Sequence, residues 1–252
     1  MSVARLEEHR RIWAAKPLLQ DVYRVWFDAL TAALPQGARV LEVGAGPGFL
    51  AEHARARRPD LSWIASDILA VPWNDMAANG LSLPFGAARF QAVVGLDFIH
   101  HLARPARLFT EAARVLAPGG SLMAAEPWVT PFSYPIYRWL HQEGCRIGLD
   151  PWQPFGGTEE KDAFDGDGAV VWKLIRTTPA ARWAELGLEP PETTAVNGFA
   201  YLASLGFRTA ALVPRGVGRA LISLDRVLGP LAGAFGMRVL VRWRRKGGTG
   251  PA

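Results

Sequence analysis

Apolar positions in the first thirty residues recur at a helical period. Leu18, Val22, Val25, Trp26 and Leu30 share one face, and Lys16-Pro17 interrupts the run, so residues 3–33 are expected to form two helices. After Pro35-Gln36-Gly37 the period changes. Residues 39–43 are a short apolar run suited to a strand and lead into a glycine-rich stretch, residues 44–48. Residues 49–57 read as a helix and 61–66 as a second strand ending at Asp67. Strand and helix alternating at this spacing predict βαβ units and a parallel sheet. Further strands are expected at 76–78, 90–96 and 121–125. A helix over 105–116 turns Leu108, Phe109, Ala112, Val115 and Leu116 inward, and Pro118-Gly119-Gly120 stops it.

From 127 to 177 the pattern changes again. Trp128, Trp139, Trp152 and Trp172 lie here, with an acidic run formed by Asp150, Glu159, Glu160, Asp162, Asp165 and Asp167. The stretch reads as an insertion at the C-terminal edge of the sheet. Strands resume at 193–202 and 237–243. Between them Val217, Leu221, Leu224, Leu228 and Leu231 form one helical stripe, expected to pack on the sheet. The chain is therefore expected to be a single α/β domain: a seven-stranded, mostly parallel Rossmann-like sheet with helices on both faces and an antiparallel last strand. Its parts are N-terminal helices (1–36), a core (37–126), the aromatic and acidic insertion (127–190) and a strand–helix–strand (191–246). Residues 247–252 are expected to be disordered.

Composition narrows the class. At 252 residues and 50% hydrophobic, the chain can bury a sizeable core, which rules out general disorder. Cys145 is the single cysteine, which excludes an internal disulfide framework and a CxxC zinc site. No uncharged apolar run reaches the ~18 residues of a membrane span. The first residues are too charged for a secretory leader, so a cytoplasmic protein is expected. The net charge of +5 raises the question of a nucleic-acid partner. Most of the basic residues are scattered arginines, however, and the terminal group from Arg238 to Lys246 reads as a solvated end. No nucleic-acid partner is expected.

The glycine stretch carries the chemistry. Gly44, Gly46 and Gly48 follow the first strand in GxGxG register, with Phe49 where the dinucleotide fingerprint needs its third glycine and Glu42 two residues upstream. The motif Glu42-Val43-Gly44-Ala45-Gly46-Pro47-Gly48 resembles motif I of the class I S-adenosylmethionine-dependent methyltransferases. The resemblance continues in order through Asp67, the segment from Asn79-Gly80 to Pro84-Phe85, Asp97-Phe98-Ile99-His100-His101-Leu102, and Arg114-Val115-Leu116-Ala117-Pro118-Gly119-Gly120. It covers residues 39–126. The resemblance implies S-adenosylmethionine as cofactor, bound by Glu42, Gly44, Ala45, Gly46, Gly48, Asp67, Ile68, Asn79, Gly80 and Asp97. Asp67 would hold the ribose hydroxyls and Asn79 the adenine amino group. Ile68 or Trp73 would form the adenine wall, because Val71-Pro72-Trp73 stands where the family has a helix.

Methyl transfer from a sulfonium is an in-line displacement with a good neutral leaving group, so positioning dominates and a base is needed only for a protonated acceptor. His100 and His101, at the mouth of the fourth strand, are the candidate catalytic residues; the other reading is that they shape the pocket. His141 and Glu143 are a second pair, more simply read as a solvated helix face. The acidic run is either a lid over the acceptor or a solvated loop; its spacing does not match DxDxDG, and no metal is expected. The expected reaction is methylation of a small organic or lipid-like acceptor at oxygen or carbon. Contact between the 217–231 stripe and a membrane surface is one further reading, and the oligomeric state stays open. The alternatives are a non-catalytic S-adenosylmethionine-binding or partner-binding protein and a nicotinamide-dependent oxidoreductase.

Overall fold

The computed structural model describes residues 3–140, 143–154 and 165–247. Helices α1 (Val3–Ala15) and α2 (Pro17–Ala32) come first, parted at Lys16, with Pro17 in the first turn of α2, where its missing N–H costs nothing. Then follow β1 (Arg39–Val43), α3 (Phe49–Arg57), β2 (Ser62–Asp67), β3 (Met76–Ala77), β4 (Phe90–Leu96), α4 (Pro105–Val115) and β5 (Leu116–Pro127). A short α5 (Ser133–Pro135) runs into a π-turn at Ile136–Leu140. The remainder is α6 (Val170–Thr177), α7 (Ala180–Glu185), β6 (Glu192–Asn197), α8 (Phe199–Ser204), α9 (Arg215–Val227), α10 (Ala232–Phe235) and β7 (Gly236–Arg244).

The strands form one seven-stranded sheet in the order β3-β2-β1-β4-β5-β7-β6. β1 pairs in parallel with β2 and β4, and β4 with β5, whereas β7 runs antiparallel to both β5 and β6. Strand order reverses between β1 and β4, and in an open α/β sheet a crevice opens there outside the strands' C-terminal ends. Neighbouring strand residues face opposite sides. Accordingly Val40 and Val94 join Trp26, Phe27 and Ala51 in the core on one face, while Leu41 and Val93 join Leu108, Phe109 and Trp243 in the core on the other. Helices cover both faces, so consecutive residues of these strands are apolar and buried, at Val40 and Leu41 and at Val93 and Val94, and the pattern does not alternate.

Several sequence expectations need correction. Pro118-Gly119-Gly120 does not end a helix: α4 stops at Val115 and β5 begins at Leu116. Residues 193–202 are not one strand, because β6 ends at Asn197 and α8 starts two residues later. The 217–231 stripe is turned inward only in part, at the half-buried Leu221 and Leu228. Val217, Leu224 and Leu231 are exposed, and α9 turns inward Gly218, Leu221, Ile222 and Asp225. A Cβ on Gly218 would stand 2.2 Å from Leu18, so the glycine admits α2. Asp225 accepts the first amides of α8, from Phe199 and Ala200, both at 3.0 Å. A buried face carrying a glycine and an aspartate is invisible to a hydrophobic count. In the insertion, Trp128 is buried, Trp152 and Trp172 are half-buried against the core and Trp139 is exposed. Residues 155–164, with Glu159, Glu160 and Asp162 of the acidic run, His141, and residues 248–252 of the tail lie outside the described residues.

Phe98 sets the closest packing at the crevice. A Cβ on Gly95 would meet its ring at 2.4 Å and the carbonyl oxygen of Val43 at 2.7 Å. Neither neighbour can give way without moving β1 or the turn after β4. Gly95→Ala is expected to cost about 1–3 kcal/mol, as overpacking of a filled core does. Chemical denaturation of the variant checks it, with Gly148→Ala, where a Cβ has open space and φ is not positive, as the control for adding a methyl group without a clash.

Candidate functional site

The turn after β1 can be made only by glycine. Gly44, Gly46 and Gly48 have φ of +67°, +51° and +81°, in the left-handed region where a side chain is strained. Asp67, at the end of β2, holds this turn: its Oδ2 accepts the Gly46 amide at 2.8 Å and its Oδ1 accepts the Leu69 amide at 2.9 Å. The Ala45 amide donates to the Ser66 carbonyl at 3.0 Å. From outside, the Trp73 indole and the Asn74 amide donate to the Gly46 carbonyl at 2.8 and 3.1 Å. Arg10 of α1 donates to the Pro47 carbonyl at 2.5 Å and stands 5.0 Å over the Trp73 ring.

The other expected contacts take distinct places. Glu42 is buried, and its Oε2 accepts the Trp63 indole N–H at 2.8 Å. Burial raises its pKa from 4.5 to about 8, so it stays protonated at neutral pH and acts through β1 and β2. Ile68, beside Asp67, is 54% exposed, an apolar surface on the crevice rim. Asn79 is exposed, and its carbonyl oxygen accepts the Leu81 amide at 2.9 Å. Gly80 is buried, and a Cβ there would meet Val43 at 2.8 Å; its part is close packing.

Across the crevice the chain leaves β4 at Asp97, with φ of +53°. The Asp97 carboxylate is in a two-pronged ion pair with the guanidinium of Arg238 on β7, with Nη2 to Oδ2 at 2.7 Å. Arg238 is 3% exposed and lies under the rings of Trp26 and Tyr201, 4.5 and 5.2 Å away. Burial opposes its charge, but the Asp97 carboxylate outweighs that and holds its pKa well above the usual value. The Asp97 carboxylate is thus tied to Arg238, while part of its side chain stays exposed at the crevice. Next, the buried carboxylate of Glu126 accepts the Phe98 amide at 3.0 Å, the Ile99 amide at 2.8 Å and Nδ1 of His100 at 2.5 Å. His100 is itself 2% exposed, and its Nε2 lies 3.2 Å from Glu143. Burial lowers its pKa, yet the Glu126 carboxylate and then Glu143 more than offset this and lift it to about 10. An imidazolium donating from both nitrogens has no lone pair to take a proton. The His101 ring lies tilted against His100, centroids 4.1 Å apart, keeps partial exposure, and its Nε2 is 3.7 Å from Glu143.

Comparison with known proteins decides the family. Residues 18–148 match the family model described as a methyltransferase domain, which is more than half of the chain. The chain belongs to the methyltransferase-domain family. Among its curated relatives is a methyltransferase from Mycobacterium sp. (strain KMS) with no assigned substrate, 30% identical over 115 residues, spanning 42% of this chain and 46% of that protein. Another is the demethylmenaquinone methyltransferase of Renibacterium salmoninarum, 29% identical over 134 residues, spanning 45% and 48%. The chain thus matches about half the length of these relatives. The solved phosphoethanolamine N-methyltransferase 2 of Haemonchus contortus shares the fold, with a TM-score of 0.53 at 15% identity, over 88% of this chain and 52% of that one.

Within this methyltransferase domain, the sequence motifs pick out the glycine turn, Asp67 and the His100-His101 turn, and the fold brings the first two into contact. Sequence reasoning missed Arg10, Glu126 and Arg238, and set Glu143 aside. Glu126 carried one signal, an acid at the end of an apolar strand. Arg238 carried none, since it sits within a group of terminal arginines that reads as solvated.

Two outcomes are expected. Arg238→Met leaves Asp97 without its partner in a partly covered site and should lower stability by about 3 kcal/mol, as removal of one member of a buried pair does; the double variant with Asp97→Asn should recover part of the loss in urea denaturation. Glu42 binds its proton more tightly in the folded state, so its contribution to stability is complete below pH 4.5 and is lost as pH rises towards about 8. Glu42→Gln, which keeps an oxygen for Trp63, should flatten that stretch of the wild-type stability–pH curve.

Proposed function

We propose that this chain transfers a methyl group from S-adenosylmethionine to a small organic or lipid-like acceptor at an oxygen or carbon atom. The observation that carries the reading is the turn of Gly44, Gly46 and Gly48 tied to Asp67 at the point where strand order reverses. A cofactor with a ribose and an adenine fits this place. The glycines let the backbone come close to the amino-acid end. Each Asp67 oxygen uses one lone pair on a backbone amide and keeps another for a ribose hydroxyl. Ile68 gives the adenine an apolar face, and the Asn79 carbonyl oxygen, which spends one lone pair on the Leu81 amide, keeps the other for the adenine amino group, with no charge assistance.

The acceptor enters from the side of His100, His101 and Glu143, at the C-terminal end of β4. His100 positions the turn through Glu126. His101, less buried, is the histidine that faces the acceptor, and Glu143 orients it. The demethylmenaquinone methyltransferase among the relatives supports an acceptor built on an apolar ring. When bound, the cofactor supplies the electrophilic methyl group, and the protein's residues align the acceptor and exclude water.

Calorimetric titration with S-adenosylhomocysteine, with NAD and NADP as controls, tests the reading. Micromolar binding of S-adenosylhomocysteine alone is expected, weakened at least tenfold by Asp67→Ala. Tighter binding of a nicotinamide dinucleotide, or an Asp67→Ala protein with wild-type affinity, overturns it.

A further inference from the structure

Glu143 and the two histidines converge from separate parts of the chain. His100 and His101 belong to the turn after β4, and Glu143 to the segment that follows the π-turn. One ligand atom from each lies within 4.8 Å of the others. Glu143 is 3.2 Å from Nε2 of His100 through one oxygen and 3.7 Å from Nε2 of His101 through the other. Around a tetrahedral zinc ion, with bonds of about 2.0–2.2 Å, neighbouring ligand atoms stand about 3.3 Å apart. The 3.2 Å spacing to His100 is close to that value; the 3.7 Å to His101 runs to the other oxygen, so a single Glu143 oxygen reaches both histidines by a turn of the carboxylate.

The surroundings are built to hold the three groups. Nδ1 of His100 points at Glu126, itself fixed by the Phe98 and Ile99 amides. A carboxylate behind a histidine in this way sets its tautomer and ring direction and strengthens it as a ligand. The Glu143 segment is sewn to the histidine turn by the Gly144–Asp167 bridge. The Asp167 amide donates to the His100 carbonyl at 3.1 Å and the Gly168 amide to the Gly144 carbonyl at 2.8 Å. Gly166 closes over the pair: a Cβ there would lie 2.7 Å from His100 and 2.9 Å from Glu143, so only glycine lets the backbone approach. Asp97, the other acid near His100, is held by Arg238 and is left out of the set.

We infer that His100, His101 and Glu143 form a binding site for a divalent transition-metal cation of the zinc class. Two imidazoles and one carboxylate select such an ion over magnesium or calcium, which prefer all-oxygen sites. The ion takes the place of the proton on Nε2 of His100, which is released to solvent. Three protein ligands leave a coordination position for an outside oxygen. Resting on the methyl-transfer reading above, that oxygen is a hydroxyl of the acceptor, which the ion acidifies.

The test uses the tag-free chain, stripped with chelator and dialysed against zinc. Metal analysis should find one zinc per chain, and titration should give at least tenfold weaker binding for Glu143→Gln and for His101→Asn, each confirmed folded by circular dichroism. Cobalt(II) should give the visible absorption of a nitrogen-ligated ion in the wild type and lose it in both variants. A wild-type chain that retains no zinc, or variants that bind it as tightly, overturns the proposal. S-adenosylhomocysteine titrated into the zinc-free chain reports on the cofactor cradle separately, so failure of one reading is distinguishable from failure of the other.

Discussion

A carboxylate removed from water is costly unless every oxygen is engaged. Glu126, wholly buried at the end of β5, meets that condition by drawing in two amides and a histidine from the next strand. The neighbouring strand therefore cannot leave the sheet freely. Its chain must turn at once to aim the Phe98 and Ile99 amides at Glu126, and Asp97 takes up the left-handed conformation that this sharp exit demands. Phe98 is then driven against Gly44 and Gly95, where no Cβ could stand. Through Phe98 the Glu126 carboxylate also bears on the glycine turn, two strands away.

The opposite wall of the crevice rests on a second acid used in the same way. Asp67 spends one lone pair of each oxygen on a backbone amide and so fixes the loop that its motif identifies. Its role is double, since the atoms that shape the turn also line the crevice. Glu42 stands in contrast. It opens the motif, yet burial keeps it protonated against Trp63, and its influence reaches the turn only through the strands.

What could be read from the chain follows the range of the interactions. β1, α3 and β4 have the limits that their apolar runs predict, because each is decided within a few residues by propensity and by glycine. The glycine turn and Asp67 were legible for the same reason: backbone conformation at Gly44 and the end of β2 leave local marks. The polar machinery of the turn after β4 was not. The partners of Asp97 and His100 lie 141, 26 and 43 residues away, at Arg238, Glu126 and Glu143. No periodicity records such pairings. Arg238 shows this most plainly, since its burial under Trp26 and Tyr201 depends on α2, α8 and β7 meeting at once.

The aromatic insertion shows how composition can mislead where packing decides. A tryptophan-rich stretch beside a candidate site suggests a pocket for a flat acceptor. In the fold, Trp152 packs near Phe109 and Trp183, which in turn touch Trp243 of β7. Trp128 is buried against the same side of the sheet. Their large area serves chiefly to seal α6 and α7 onto the strands, work that aliphatic side chains would do with less reach. The insertion's contribution to the crevice is instead a short polar segment. Glu143 and the Gly166-Asp167-Gly168 turn are brought under the histidines by one backbone bridge, and the aromatic packing around them keeps that bridge in register.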